Sequence, residues 1–178
     1  MTIASSQEEN RSPALAPMLE KILPWVLISE IYWMSFKLLD RRYYHLGVSS
    51  SQARVLALLY FSPNPVKPST VATLLFQETQ SITGILHRIE SRGWVERLPD
   101  ATDRRAVGLQ LTDQGRPVAD EIVRLSDELY DELFAPALGA AEKRQLEAML
   151  KKIRALGFKL PETDFKLRKA QRYRFWSD

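Results

Sequence analysis

Between Gln80 and Gly115 the chain reads QSITGILHRIESRGWVERLPDATDRRAVGLQLTDQG, and the order of its parts leaves few folds open. Ile82, Ile85, Leu86 and Ile89 recur at spacings of three and four, the buried stripe of an amphipathic helix. Gly93 follows where a left-handed helix stop is expected. Trp94 to Leu98 and Ala106 to Leu111 then alternate like strands, joined by a turn that opens on Pro99 and carries Asp103-Arg104-Arg105. Thr112 stands where it can cap a further helix.

Upstream, residues 1–13 are polar and without periodicity, the composition of a disordered segment. Pro24 can open a helix, since its missing N–H is not needed in a first turn. From Trp25 to about His45 apolar residues recur at helical spacing (Trp25, Tyr32, Phe36, Leu39, Tyr43), and Val26, Trp33 and Leu38 supply a second apolar side. A helix apolar on two sides is buried on two sides, which in a small domain implies a subunit interface. Leu46-Gly47-Val48 breaks it, and Ser49 to Ser51 can cap a helix over about 50–61 that Ser62-Pro63-Asn64-Pro65 ends. A short helix starts at Pro68-Ser69 with Val71, Leu74 and Leu75 inward, and Thr79 is placed as N-cap of the helix running to Arg92.

Downstream, Thr112 caps a long helix from Asp113 to about Phe134 with the stripe Val118, Ile122, Leu125, Leu129 and Leu133. A last regular helix, about 140–156, carries Leu146, Met149, Leu150, Ile153 and Leu156. Residues 157–178 mix basic and aromatic side chains without clean periodicity.

Composition narrows the function. The chain of 178 residues has no cysteine, which removes disulfides, thiolate metal sites and thiol redox sensing. His45 and His87 are its two histidines, too few and too far apart for a zinc site. No nucleophile–base pair, metal set or phosphate-binding glycine loop is visible, so neither an enzyme nor a cofactor is expected. No uninterrupted apolar run approaches the ~20 residues of a bilayer span, and the polar N-terminus does not read as a signal peptide, so the expectation is cytoplasmic, without a membrane. The net charge of +3 is modest. Six basic and three acidic residues between Lys159 and Asp178 account for all of it, so the remainder is neutral and local arrangement has to carry any nucleic-acid argument.

Two short helices and a hairpin match a winged helix-turn-helix. A helix entering a major groove needs short polar side chains on its leading face. Gln80, Ser81 and Thr83 supply them, and His87 and Arg88 can reach phosphates. A hairpin entering a narrow minor groove needs a cation at its tip, where the potential is strongly negative. Arg104 and Arg105 answer this, with Asp103 fixing an arginine or the turn. The plain alternative is an amphipathic surface helix and a solvated turn, and five basic against four acidic residues from Thr79 to Thr112 fit that too. The joint order of helix, stop, strand, Asp-Arg-Arg turn, strand and capped helix is what favours the groove-binding unit.

Leu46-Gly47-Val48 with Gln52, Val55 and Leu56, Ser81 to Gly93, Asp100 to Arg105, and Leu111 to Gly115 together resemble the MarR-type transcriptional regulators over roughly residues 25–156. The resemblance implies a mostly α fold with a small β-hairpin wing: a winged helix-turn-helix lobe (49–112) plus a helical dimerisation lobe (14–48 and 113–156), with 157–178 as an extension. It implies a homodimer on a pseudo-palindromic double-stranded DNA operator, most simply a repressor, with Arg105 as the minor-groove arginine. Gly84 departs from the pattern, which often has a basic residue there, so operator sequence cannot be carried over. A winged-helix protein-interaction module without specific DNA binding is the other reading.

The resemblance also admits a small aromatic or lipophilic effector in a crevice between dimer helices and DNA-binding lobe. Trp25, Tyr32, Trp33, Phe36, His45 and Tyr60 would line it, unless the aromatics simply pack a dimer core.

Overall fold

A computed structural model of the chain describes residues 15–62, 65–99 and 107–160. Among these residues lie six α-helices and one antiparallel hairpin: α1 (Leu15–Tyr43), α2 (Ser50–Phe61), α3 (Pro68–Leu74), α4 (Thr79–Ser91), β1 (Val95–Pro99), β2 (Val107–Leu111), α5 (Gly115–Leu133) and α6 (Ala140–Gly157). The mostly helical fold with a small hairpin is as expected. The expected disorder of 1–13, and most of the 157–178 extension, lie outside the described residues.

Helix α1 begins at Leu15, not at Pro24, which sits inside it. Proline in a helix interior forfeits one ladder bond. The apolar run through Met18, Leu19, Ile22 and Leu23 nevertheless carries the helix upstream of it. Pro17–Leu46 is long and apolar enough, by length and composition, to cross a bilayer, its most apolar 18-residue stretch having a mean hydropathy of 1.3. Glu30 and Lys37 interrupt the apolar run in the sequence, which is why no uninterrupted stretch of that length could be read there.

The chain divides into two units between Leu38 and Leu39. In the first, the helix leaves large apolar side chains in the open, with Trp25 71% and Trp33 59% exposed. Tyr32, Trp33 and Phe36 form a local aromatic group, the Tyr32 and Trp33 rings meeting edge-on at 5.2 Å.

The second unit holds the core. Ser49 caps α2 reciprocally: its hydroxyl accepts from the Gln52 N–H and its own N–H donates to Gln52 Oε1 at 2.9 Å. Asp40 Oδ1 adds to this start by accepting from both the N–H and the hydroxyl of Ser50, each at 2.9 Å. Helix α2 then buries Val55, Leu56, Leu58 and Leu59 against Val71 and Leu74 of α3, the α4 stripe, and Ile122 and Leu125 of α5. Each such side chain contributes about 1.5–3 kcal/mol on burial.

The hairpin pairs Val95 with Leu111 and Pro99 with Val107. Val66 adds a single bridge on the other edge of β2 unseen in the sequence, exchanging N–H···O bonds with Leu109 at 3.0 and 2.8 Å. Helix α5 starts at Gly115, two residues later than expected, yet Thr112 does cap it: its hydroxyl accepts from the Gly115 N–H at 2.9 Å and donates to the Gly93 carbonyl at 2.6 Å.

Candidate nucleic-acid interface

The N-cap of α4 is Glu78 rather than Thr79, and no side chain caps its first turn. A first turn without such a cap leaves N–H groups, and the positive end of the helix dipole, to an outside acceptor such as a phosphate. The two faces of α4 separate cleanly. Ile82, Ile85, Leu86 and Ile89 are buried, while Gln80, Ser81, Thr83, Gly84, His87 and Arg88 are exposed. All five side chains expected to meet DNA on this helix therefore share the open side. Thr83 is more restricted than its type implies. Its hydroxyl donates to the Thr79 carbonyl at 2.9 Å, which leaves its oxygen lone pairs free to accept, for example from a base amino group.

The turn entering α4 is held from α2, where Arg54 Nη2 donates to the Leu75 carbonyl at 3.2 Å. Phe76 in that turn takes a left-handed φ of 54°, uncommon for a bulky residue, and its ring stacks on Phe158 beyond α6 at 6.4 Å. The far end of α4 is held more firmly. Gly93 takes the left-handed stop at φ 70°. The Trp94 N–H returns to the Ile89 carbonyl at 3.1 Å. Arg92 donates to the Gly47 carbonyl at 2.6 Å and lies over the Trp94 ring. Glu90 pairs with Arg97 of β1 at 2.8 Å, tying the helix to the base of the hairpin. The sequence reading missed both arginine contacts. Each crosses a chain reversal, and no helix or strand period reaches across one.

Asp103, Arg104 and Arg105 lie outside the described residues, as does all of 100–106 between the hairpin strands. The paired ends Pro99 and Val107 mark where that segment leaves and rejoins the hairpin.

The six effector-pocket residues are divided between the two units. Trp25, Tyr32, Trp33 and Phe36 belong to the first unit, and His45 and Tyr60 to the second. His45 is exposed, and the Glu121 carboxyl is held below its ordinary range chiefly by its hydrogen bond with Arg124. The Tyr60 hydroxyl is engaged by Asp120, which raises the phenol pKa, and its ring meets Phe61 edge-on at 5.0 Å.

This arrangement has close relatives. A family model described as MarR family matches residues 46–106. The transcriptional repressor MprA of Escherichia coli is 32% identical over 124 residues, 67% of this chain and 70% of MprA. The transcriptional regulator PecS of Dickeya dadantii is 28% identical over 149 residues, 83% of this chain and 88% of PecS. Among solved structures, an Escherichia coli MarR variant complexed with operator DNA superposes with a TM-score of 0.65 at 30% identity, covering 76% of this chain and 96% of that one. The chain belongs to the MarR family of winged-helix transcriptional regulators, which are not enzymes.

Proposed function

We propose that the chain is a homodimeric, sequence-specific DNA-binding repressor of the cytoplasm. Helix α4 enters the major groove of each half of a pseudo-palindromic operator, and Arg105, with Arg104 and Asp103 beside it, serves the adjacent minor groove. The observation that carries the reading is the division of α4 into a wholly apolar buried face and a wholly polar or side-chain-free open one. The operator complex of the 30% identical MarR variant supports it. The name of MprA as a repressor supports the sign.

The homodimer rests on surface that water does not favour. Ile22, Leu23, Trp25 and Ile28 of α1, and Met149, Ile153 and Leu156 of α6, are exposed in the single chain. Apolar area on this scale marks an interaction site. Helix α6 carries Glu142, Lys143, Arg144, Glu147, Lys151, Lys152 and Arg154, charges a bilayer core does not admit, so a protein partner covers its apolar side better than lipid does. Release by a small aromatic effector belongs to the same proposal. It requires dimerisation to close α1 aromatics around a ligand, and a ligand that binds without altering operator affinity would remove it.

Footprinting on the DNA upstream of the protein's own gene tests the reading. A protected pseudo-palindrome bound by a species of twice the chain mass is expected. A monomer, a membrane-bound chain, or no protected sequence would overturn it.

A further inference from the structure

Gly84 occupies the middle of α4, with Gln80 and Ser81 one turn before it and His87 and Arg88 one turn after it on the same open side. Nothing in the fold asks for glycine there. A Cβ built on Gly84 meets no atom within 4 Å, so no packing neighbour excludes a side chain. Its φ is not in the left-handed range, unlike Gly47 and Gly93, so the backbone does not need it either. Glycine within a helix is nonetheless unfavourable, chiefly through backbone entropy. Its N–H lies in the helix interior, where the ladder engages it, so it is not a spare donor for phosphate. What Gly84 does offer is space: a gap one side chain deep in the surface that Gln80, Ser81, His87 and Arg88 surround.

We propose that Gly84 is a specificity-determining position at which the floor of the major groove approaches the α4 backbone, and that the gap receives the C5-methyl of a thymine. The inference rests on the proposed function and deepens it. Thymine is the base that puts an apolar knob into the major groove, and the space left where Gly84 has no side chain is large enough to receive it. Excluding water from one methyl is worth about a fourfold change in affinity. A side chain at 84 would occupy the hollow and hold the helix away from the bases, so the neighbouring polar contacts would weaken with it.

The test begins with a duplex that the wild-type protein selects from a random-sequence pool. Each thymine of that duplex is then replaced in turn by deoxyuridine, which removes only the methyl. Wild-type protein is expected to lose about fourfold in affinity at one thymine position of each half-site. Gly84→Ala should fold with a raised Tm, bind the parent duplex at least tenfold more weakly, and show no loss at that position on uracil replacement. Gly84→Ala that binds as tightly as wild type, with the same uracil profile, overturns the inference and leaves the functional reading standing. A pool from which wild-type protein enriches nothing overturns both.

Discussion

Arg92 Nη1 donates to the Gly47 carbonyl at 2.6 Å while its guanidinium lies 4.7 Å from the centre of the Trp94 ring. The pair joins the C-terminal end of α4 to the left-handed bend that precedes α2, where Gly47 takes φ 64°. A cation at the end of the helix proposed to read DNA is thus occupied in setting that helix's attitude. It is an exposed residue, so its worth is modest.

Replacing it should separate position from charge. Arg92→Met keeps the apolar stem and should cost about 1 kcal/mol of stability, read by urea unfolding. It should weaken operator binding without changing how affinity falls with salt. Loss of an arginine that touches phosphate would instead reduce that slope by about 1.

Gly115 opens α5 directly beneath the Trp94 backbone, and a Cβ there would stand 1.9 Å from the Trp94 carbonyl oxygen. Neither atom belongs to a flexible side chain, so the strand and the helix would have to separate. Gly115→Ala should therefore destabilise the fold by about 3 kcal/mol or more, against a small gain from helix propensity. Thermal unfolding followed by circular dichroism reads it directly. A variant as stable as the wild type would mean that the α5 entry is looser than described.

The Tyr60 phenol is raised above its ordinary value because it donates to the Asp120 carboxylate, whose charge disfavours the phenolate. A raised folded pKa gives a contribution fully present below the unfolded value and lost as pH rises through the folded one. Tyr60→Phe should therefore lower stability by a constant amount up to about pH 10, and the two curves should converge above it. Tyr43, raised mainly by burial, adds an alkaline loss of the same sign in both proteins. Glu121 acts on the other side. Its hydrogen bonds with Arg124 hold the carboxyl low, so their contribution is present at neutral pH and lost as pH falls through the lowered value.

Much of this fold was legible in the sequence where periodicity and turn chemistry agree. The bounds of α2 follow from Ser49 and the proline-rich segment after Phe61, and the α4 stripe follows from four isoleucines and leucines at helical spacing. Pro24 misled because a proline that can begin a helix can also be tolerated inside one when its neighbours are strongly apolar. The start of α5 was blurred because Thr112 caps it across a short turn rather than from the adjacent position. The aromatics of α1 were read as both wall and core, and helical spacing cannot decide between them. It shows that a face is apolar, not what covers it. The contacts that orient α4, Arg92 with Gly47 and Glu90 with Arg97, join residues that no local pattern relates.

The central claim is that this winged helix reads DNA with its hairpin arginine in the minor groove. It is tested most directly by titrating the footprinted duplex with wild-type protein and with Arg105→Ala, at two salt concentrations. The account predicts at least a tenfold loss of affinity for the variant, a salt slope smaller by about 1, and an unchanged Tm. Equal affinity of the two proteins for that duplex would contradict it.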